Sequence, residues 1–447
     1  MSWQQLKFAG LIVLFLCFNA PLAHAAAANK SRDAVMLSAL REQELSRTLA
    51  QAESLQGIEK KQPIPQKEYI EPEEGLKEKG QDLKKFLTQV KVHPYLTTRF
   101  DYNDNIFRLP QGGESDEINT TKPGLKFVWG DIVTSADKNR IEVDLGLKRV
   151  SYYHNSHLTR NYPAASLSAQ FGRGKNKLMF RQAFEKEFST TSDIILGTGG
   201  LSNYDLQKTT FDYEYGHKHF GIDLGFDRAD YVYAGQYKKG SSYTEQVGSL
   251  TAYVQPTGKT RFFAEGDYGY VGYDKFGNPT KDSEYIKGFV GVNGKITEKT
   301  SGVIKGGYQM REFKDKVSKD MNNWAAEINL ENKFSSRTTF LLEGSRGSLT
   351  STYQGDGTKL DTDFYLGMRH AFTPRLGLNL GYAYAIDKYR SGRKDQIYTA
   401  ITELKYNFRK WLTMDLGYKY AERDSRKSTS DADYANNIFS LGAGVIF

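Results

Sequence analysis

The chain has 447 residues, including 42 Gly, 29 Tyr and 26 Phe, and carries a formal net charge of +8. A polytopic helical membrane protein is excluded, since each span needs about 20 apolar residues and the one comparable run, Phe8 to Ala27, sits at the N-terminus. Such aromatic content excludes bulk disorder, and a single cysteine excludes a disulfide framework.

Lys7, the apolar stretch from Phe8 to Phe18 and the small-x-small box Ala23-His24-Ala25 have the layout of a secretory signal peptide over residues 1–25. Cys17 follows Leu16, where lipoprotein processing needs a small side chain, so it is read as part of the signal. Export argues against a nucleic-acid partner despite the basic charge.

Residues 26–90 form a separate region. Leu37, Leu40, Leu45, Leu49, Ala52 and Leu55 recur at helical spacing, Gln62-Pro-Ile-Pro breaks the pattern, and residues 76–90 allow a second short helix. The expectation is a helical periplasmic arm and linker.

From residue 91 to 447 the period becomes two. Ile141, Val143, Leu145 and Leu147 share one face of a strand, and Glu142, Asp144, Gly146 and Lys148 the other. The form recurs in Phe220-Gly-Ile-Asp-Leu-Gly-Phe-Asp, in Leu376-Gly-Leu-Asn-Leu-Gly-Tyr and in Leu412-Thr-Met-Asp-Leu-Gly-Tyr. These segments exceed the usual strand length of about 5–6 residues. Their polar faces carry charge, and their apolar faces end in Tyr268, Tyr270, Tyr382, Tyr384, Tyr418 and Tyr420. Apolar bands ending in aromatic girdles suit a sheet closed in lipid. Tight-turn residues recur near 134–139, 172–176, 216–218, 256–259, 296–299, 335–337, 373–375 and 409–411, with longer loops between them. The expectation is an all-β fold, a transmembrane antiparallel up-and-down barrel of about 18 strands in the bacterial outer membrane. Phe447 on a last alternating strand suggests contact with barrel-assembly machinery.

Alternation places Arg99, Glu142, Asp144, Arg181, Asp223, Asp227, Glu265, Asp267, Lys305, Arg311, Glu327, Arg369, Glu403 and Asp415 on the lumen face. Carboxylates outnumber bases there, which suits a weakly cation-selective channel; equally, the charges could pair across the wall and fill space. The basic loop residues Lys388, Arg390, Arg393 and Lys394 are candidates for anion binding, with lipopolysaccharide phosphates or an acidic polymer as partner, against the plainer reading of solvated surface charge.

Signals for enzyme chemistry are poor, and no catalytic residue, cofactor or metal site is expected. Pro256-Thr-Gly-Lys-Thr lacks the earlier glycine of a phosphate loop and falls in a turn between strands. Asp101, Asn103 and Asn105 resemble the start of a calcium loop, but Ile106 replaces the needed glycine.

The first hairpin carries a resemblance. Asp104-Asn105-Ile106, then Ser115-Asp116 and Pro123-Gly124-Leu125, resemble the opening of the "putative β-barrel porin 2" family. The resemblance implies an outer-membrane barrel linked to exopolysaccharide secretion, and it carries over no catalytic residue. The leading expectation is export of a secreted polysaccharide, with the arm at 26–90 docking a periplasmic export component. The alternatives are a diffusion porin for small solutes and a structural or adhesion barrel.

Overall fold

The computed structural model describes residues 90–447 except 131–138, 174–175, 191–200, 218, 236–240, 258, 274–280, 316–319, 352–356 and 427–432. The expected signal peptide and residues 26–89 of the expected arm lie outside the described residues, and Val90, placed at the end of that arm, instead begins the first strand.

Eighteen strands form one sheet. They are β1 (Val90–Asn103), β2 (Asp116–Gly130), β3 (Arg140–Tyr152), β4 (Arg160–Arg173), β5 (Asn176–Thr190), β6 (Leu201–His217), β7 (Phe220–Tyr233), β8 (Tyr243–Thr257) and β9 (Thr260–Gly272). There follow β10 (Ser283–Lys295), β11 (Thr300–Phe313), β12 (Met321–Asn332), β13 (Thr338–Thr350), β14 (Thr358–Ala371), β15 (Leu376–Tyr389), β16 (Lys394–Arg409), β17 (Leu412–Arg426) and β18 (Tyr434–Ile446). Each pairs antiparallel with its neighbour in sequence, and β1 pairs with β18 from Tyr95–Ile446 to Asn103–Ile438, which closes the barrel. Closure matters because an open edge in hydrocarbon would leave backbone donors and acceptors unpaired.

The outward positions invert the usual burial rule. Leu145, Leu224, Leu250, Leu366, Leu416 and Leu441 are all exposed, Leu416 at 57%. In water this would be an apolar surface far larger than a soluble monomer presents; in lipid it is the solvated face. Tyr268, Tyr308, Trp324, Tyr382 and Phe439 extend that face toward the long loops. Phe262, Phe340, Phe408 and Trp411 edge it near the short turns, where Trp411 stacks on Phe447 with centroids 6.2 Å apart. Short turns lie on the periplasmic side of such barrels and longer loops outside the cell, which orients the molecule.

The first long loop folds back onto the wall. Ile106 and Phe107 are buried with Val150, Tyr152 and Tyr162. Asp116 anchors the next loop: its carboxylate accepts from the backbone N–H of Tyr153, His154 and Asn155 and from the Asn155 amide, at 2.8–3.0 Å.

Candidate functional site

The site is the inner wall. In an antiparallel ladder directly opposed residues share a face, so the register transmits one parity around the barrel. Tyr95 opposes Gly124, which opposes Gly146; Lys126 opposes Asp144. On that reckoning Arg99, Glu142, Asp144, Arg181, Asp223, Asp227, Glu265, Asp267, Lys305, Arg311, Glu327, Arg369, Glu403 and Asp415 lie on the face opposite the exposed leucines.

Most of them are brought into pairs that bind one strand to the next or the next but one. Lys305 on β11 sits 2.8 Å from Glu265 on β9 and 3.0 Å from Glu327 on β12. Arg369 on β14 reaches Glu331 on β12 at 3.2 Å. Arg99 bonds Asp101 at 2.5 Å and lies 3.9 Å from Asp415. Glu142 is held by Lys126 and Arg140, each at 2.5 Å, and Glu403 accepts from Asn379 at 2.9 Å. Reaching over one strand suits Lys and Arg, whose stems are long enough to cross about 9–10 Å between alternate strands.

A second group is not ion-paired. Asp212 on β6, Asp223 and Asp227 on β7 and Asp267 on β9 form no salt bridge among the described residues, and Asp227 only accepts from Thr210 at 2.7 Å. Arg181 on β5 opposes Thr210 beside this arc and has no carboxylate partner among the described residues; its guanidinium lies 4.0 Å from Met179 Sδ. Arg311 is 1% exposed; it donates to Ser283 Oγ at 2.9–3.0 Å and Thr350 Oγ1 at 3.0 Å and lies over the Tyr285 and Phe313 rings.

Tyrosines laid flat over glycines are the feature that pattern reading missed. Tyr95 reaches across Gly124 to donate to Asp144 Oδ1 at 2.7 Å. Tyr285 crosses Gly269 to Glu245 Oε1 at 2.9 Å, and Tyr253 crosses Gly221 toward Glu214 at 3.4 Å, with Arg261 4.3 Å above its ring and 2.7 Å from the same carboxylate. The signal lies in which Tyr opposes which Gly, and that requires the register.

The basic group near 388–394 does not form one exposed patch. Arg393 is buried and its guanidinium forks onto Asp395, so it is held by the wall and not free for an anion. Arg390 stacks 4.8 Å over Phe313. Lys388 and Lys394 oppose each other on the outer face. The motif residues at 104–106 close the seam: Asp104 accepts from Asn437 N–H and Nδ2 at 2.7 and 2.6 Å, and the Asn105 amide donates to the carbonyls of Leu109 and Ala435.

A family model described as "Putative beta-barrel porin 2" matches residues 89–447. No curated protein matches the chain. Among solved structures, the outer membrane protein OpdK from Pseudomonas aeruginosa is 11% identical with TM-score 0.44, covering 80% of this chain and 99% of its own. OmpTΔL8, a loop-deletion mutant of an outer membrane protein of Vibrio cholerae, is 12% identical with TM-score 0.38 over 80% and 99% of the two chains. OccAB4 from Acinetobacter baumannii is 12% identical with TM-score 0.42 over 80% and 98%.

Proposed function

Taking as premise that the chain belongs to the "Putative beta-barrel porin 2" family, and is thus a porin-like channel of the bacterial outer membrane, we propose that it passes small polar solutes with a weak preference for cations. The observation that carries this reading is the arc of Asp212, Asp223, Asp227 and Asp267, whose carboxylates have no ion pair among the described residues, while Lys305, Arg369 and Arg99 are each held by acids. Unneutralised carboxylates in a wall of low dielectric concentrate cations along the path. Arg181 opposes the arc and keeps the bias weak. In a planar bilayer under a salt gradient, the reversal potential is expected on the cation side, and replacing the four aspartates by Asn moves it toward zero. Anion selectivity of the unaltered channel, or no current, overturns the reading.

Export of a secreted polysaccharide is the second reading. It is supported by the pairing of the wall itself: with most bases held by acids, a passing glycan meets Asn379, Thr251 and Ser249, which hold a sugar weakly enough to release it. A deletion strain that retains its surface glycan but takes up small polar solutes slowly excludes export; the opposite phenotype excludes simple diffusion. The arm at 26–90 belongs to this reading as the part that docks an export partner. Its removal is then expected to abolish secretion while the barrel still folds.

A further inference from the structure

The ladder between β12 and β13 runs only from Asn332–Phe340 to Ala326–Arg346. β12 continues beyond it to Met321, bonded to β11, and β13 continues to Thr350, bonded to β14. In the extracellular half, therefore, each of these strands is laddered on one side only, at a depth where unpaired backbone is costly.

Side chains close the gap. Gln309 on β11, with no exposed surface, stands in for a peptide unit: its Nε2 donates to the Ser348 carbonyl at 3.3 Å, and its Oε1 accepts from the Ser348 N–H at 2.9 Å. Arg311 donates to Thr350 Oγ1, and the Tyr273 hydroxyl donates to the Ser351 carbonyl at 3.3 Å. On the lipid side the Arg346 guanidinium lies 4.2 Å over the Trp324 ring and donates to Thr362 Oγ1 at 2.8 Å. Opening this seam would break side-chain bonds and leave the β11–β12 and β13–β14 ladders whole.

The chemistry at the seam selects a class of passenger. Arg311 on the inside and Arg346 on the outside have no carboxylate partner among the described residues. A buried guanidinium without a counter-charge is costly unless an anion completes it. Asn323 Oδ1, Arg346 Nε and Ser348 Oγ are likewise buried without hydrogen-bond partners among the described residues. The inner approach is apolar: Arg311 lies 5.4 Å from the Tyr285 ring, which packs in one cluster with Val271 and Tyr273. We propose that the upper β12–β13 seam is a lateral portal between the lumen and the outer leaflet, for an amphipathic anion with a single carboxylate or phosphate on an apolar chain, passed from Arg311 to Arg346.

The test uses the full chain in lipid vesicles, with Trp3, Trp129 and Trp411 changed to Phe so that Trp324 alone reports. Nitroxide-labelled stearate is titrated in, with its methyl ester as the uncharged control. The expected result is saturable quenching by stearate and a merely linear response to the ester. Arg311→Gln and Arg346→Gln should each weaken the saturable component by about tenfold or more, the loss expected for a charge-assisted contact. Arg346→Gln should leave ion conductance unchanged, because that side chain faces lipid. Where Arg311→Gln fails to fold, Arg311→Lys keeps the charge but loses the fork, and it too should bind stearate more weakly. Equal quenching by stearate and ester, or saturation indifferent to both arginines, overturns the portal.

Discussion

Tyr95 and Gly124 are directly opposed on β1 and β2, and a Cβ placed on Gly124 would stand 2.2 Å from the Tyr95 ring. The glycine is therefore the seat of the ring, and the ring covers the backbone that the glycine leaves bare. Pairs of this kind stabilise sheets through their fit. Gly124→Ala should lower barrel stability by about 1–3 kcal/mol, the usual cost of overpacking. Tyr95→Ala in the same chain should recover part of the loss, since the methyl then has room. Urea unfolding in detergent, followed by the change in gel mobility on heating, measures both.

The β1–β18 seam should depend on Asp104. Its carboxylate takes two hydrogen bonds from Asn437, one from the backbone and one from the side chain, at 2.7 and 2.6 Å. Asp104→Ala leaves the Asn437 donors without that acceptor and is expected to cost about 1–3 kcal/mol. Hydrogen exchange should show the loss first at the upper ends of β1 and β18. Protection unchanged there would mean that the ladder alone holds the seam.

The extent to which the fold was legible follows from period. Alternation is a property of one strand, so Ile141–Leu147 and Leu412–Tyr418 announce their faces without knowledge of any neighbour. Turn residues fall where tight turns are needed, and the sequence expectations at 335–337 and 373–375 lie within the observed β12–β13 and β14–β15 turns. What alternation could not show is partnership. That Lys305 faces the lumen follows from its parity; that it bridges Glu265 and Glu327 depends on a register set by three ladders among four strands. The same holds for Arg393, whose position in a basic run suggested exposure, while its buried fork onto Asp395 follows from how β16 leaves the loop. The extent of the β12–β13 ladder is likewise a matter of partnership, because it depends on how two strands meet and not on the faces of either one.

Arg393 and Lys388 should separate on mutation. Arg393→Ala removes a guanidinium from a buried pair and leaves Asp395 uncompensated, so it should destabilise the barrel by about 3–5 kcal/mol without changing affinity for anionic lipid. Lys388→Gln with Lys394→Gln removes two opposed outer-face cations, relieves their mutual repulsion and should cost no stability. The same pair should lower retention of lipopolysaccharide at low salt, where screening is weakest. Retention unchanged at low salt would mark the two lysines as solvated charge.

Lys305 is placed to couple stability and selectivity. It is mostly buried between two carboxylates, at 2.8 Å from Glu265 and 3.0 Å from Glu327. Its charge thus offsets two acids that would otherwise add to the arc around Asp267. Lys305→Gln keeps much of the volume and some hydrogen bonding but leaves both carboxylates without a cation. The direct effect should be stronger cation selectivity, read as a larger reversal potential in a salt gradient. The accompanying effect should be a loss of stability, reduced by high salt only in so far as ions reach the site. Replacing Glu265 by Gln together with Lys305→Gln should return the selectivity toward its starting value, because the cluster then again has one carboxylate in excess. A reversal potential that does not move in the single variant would place the Lys305 cluster outside the ion path, whatever happens to the unfolding midpoint.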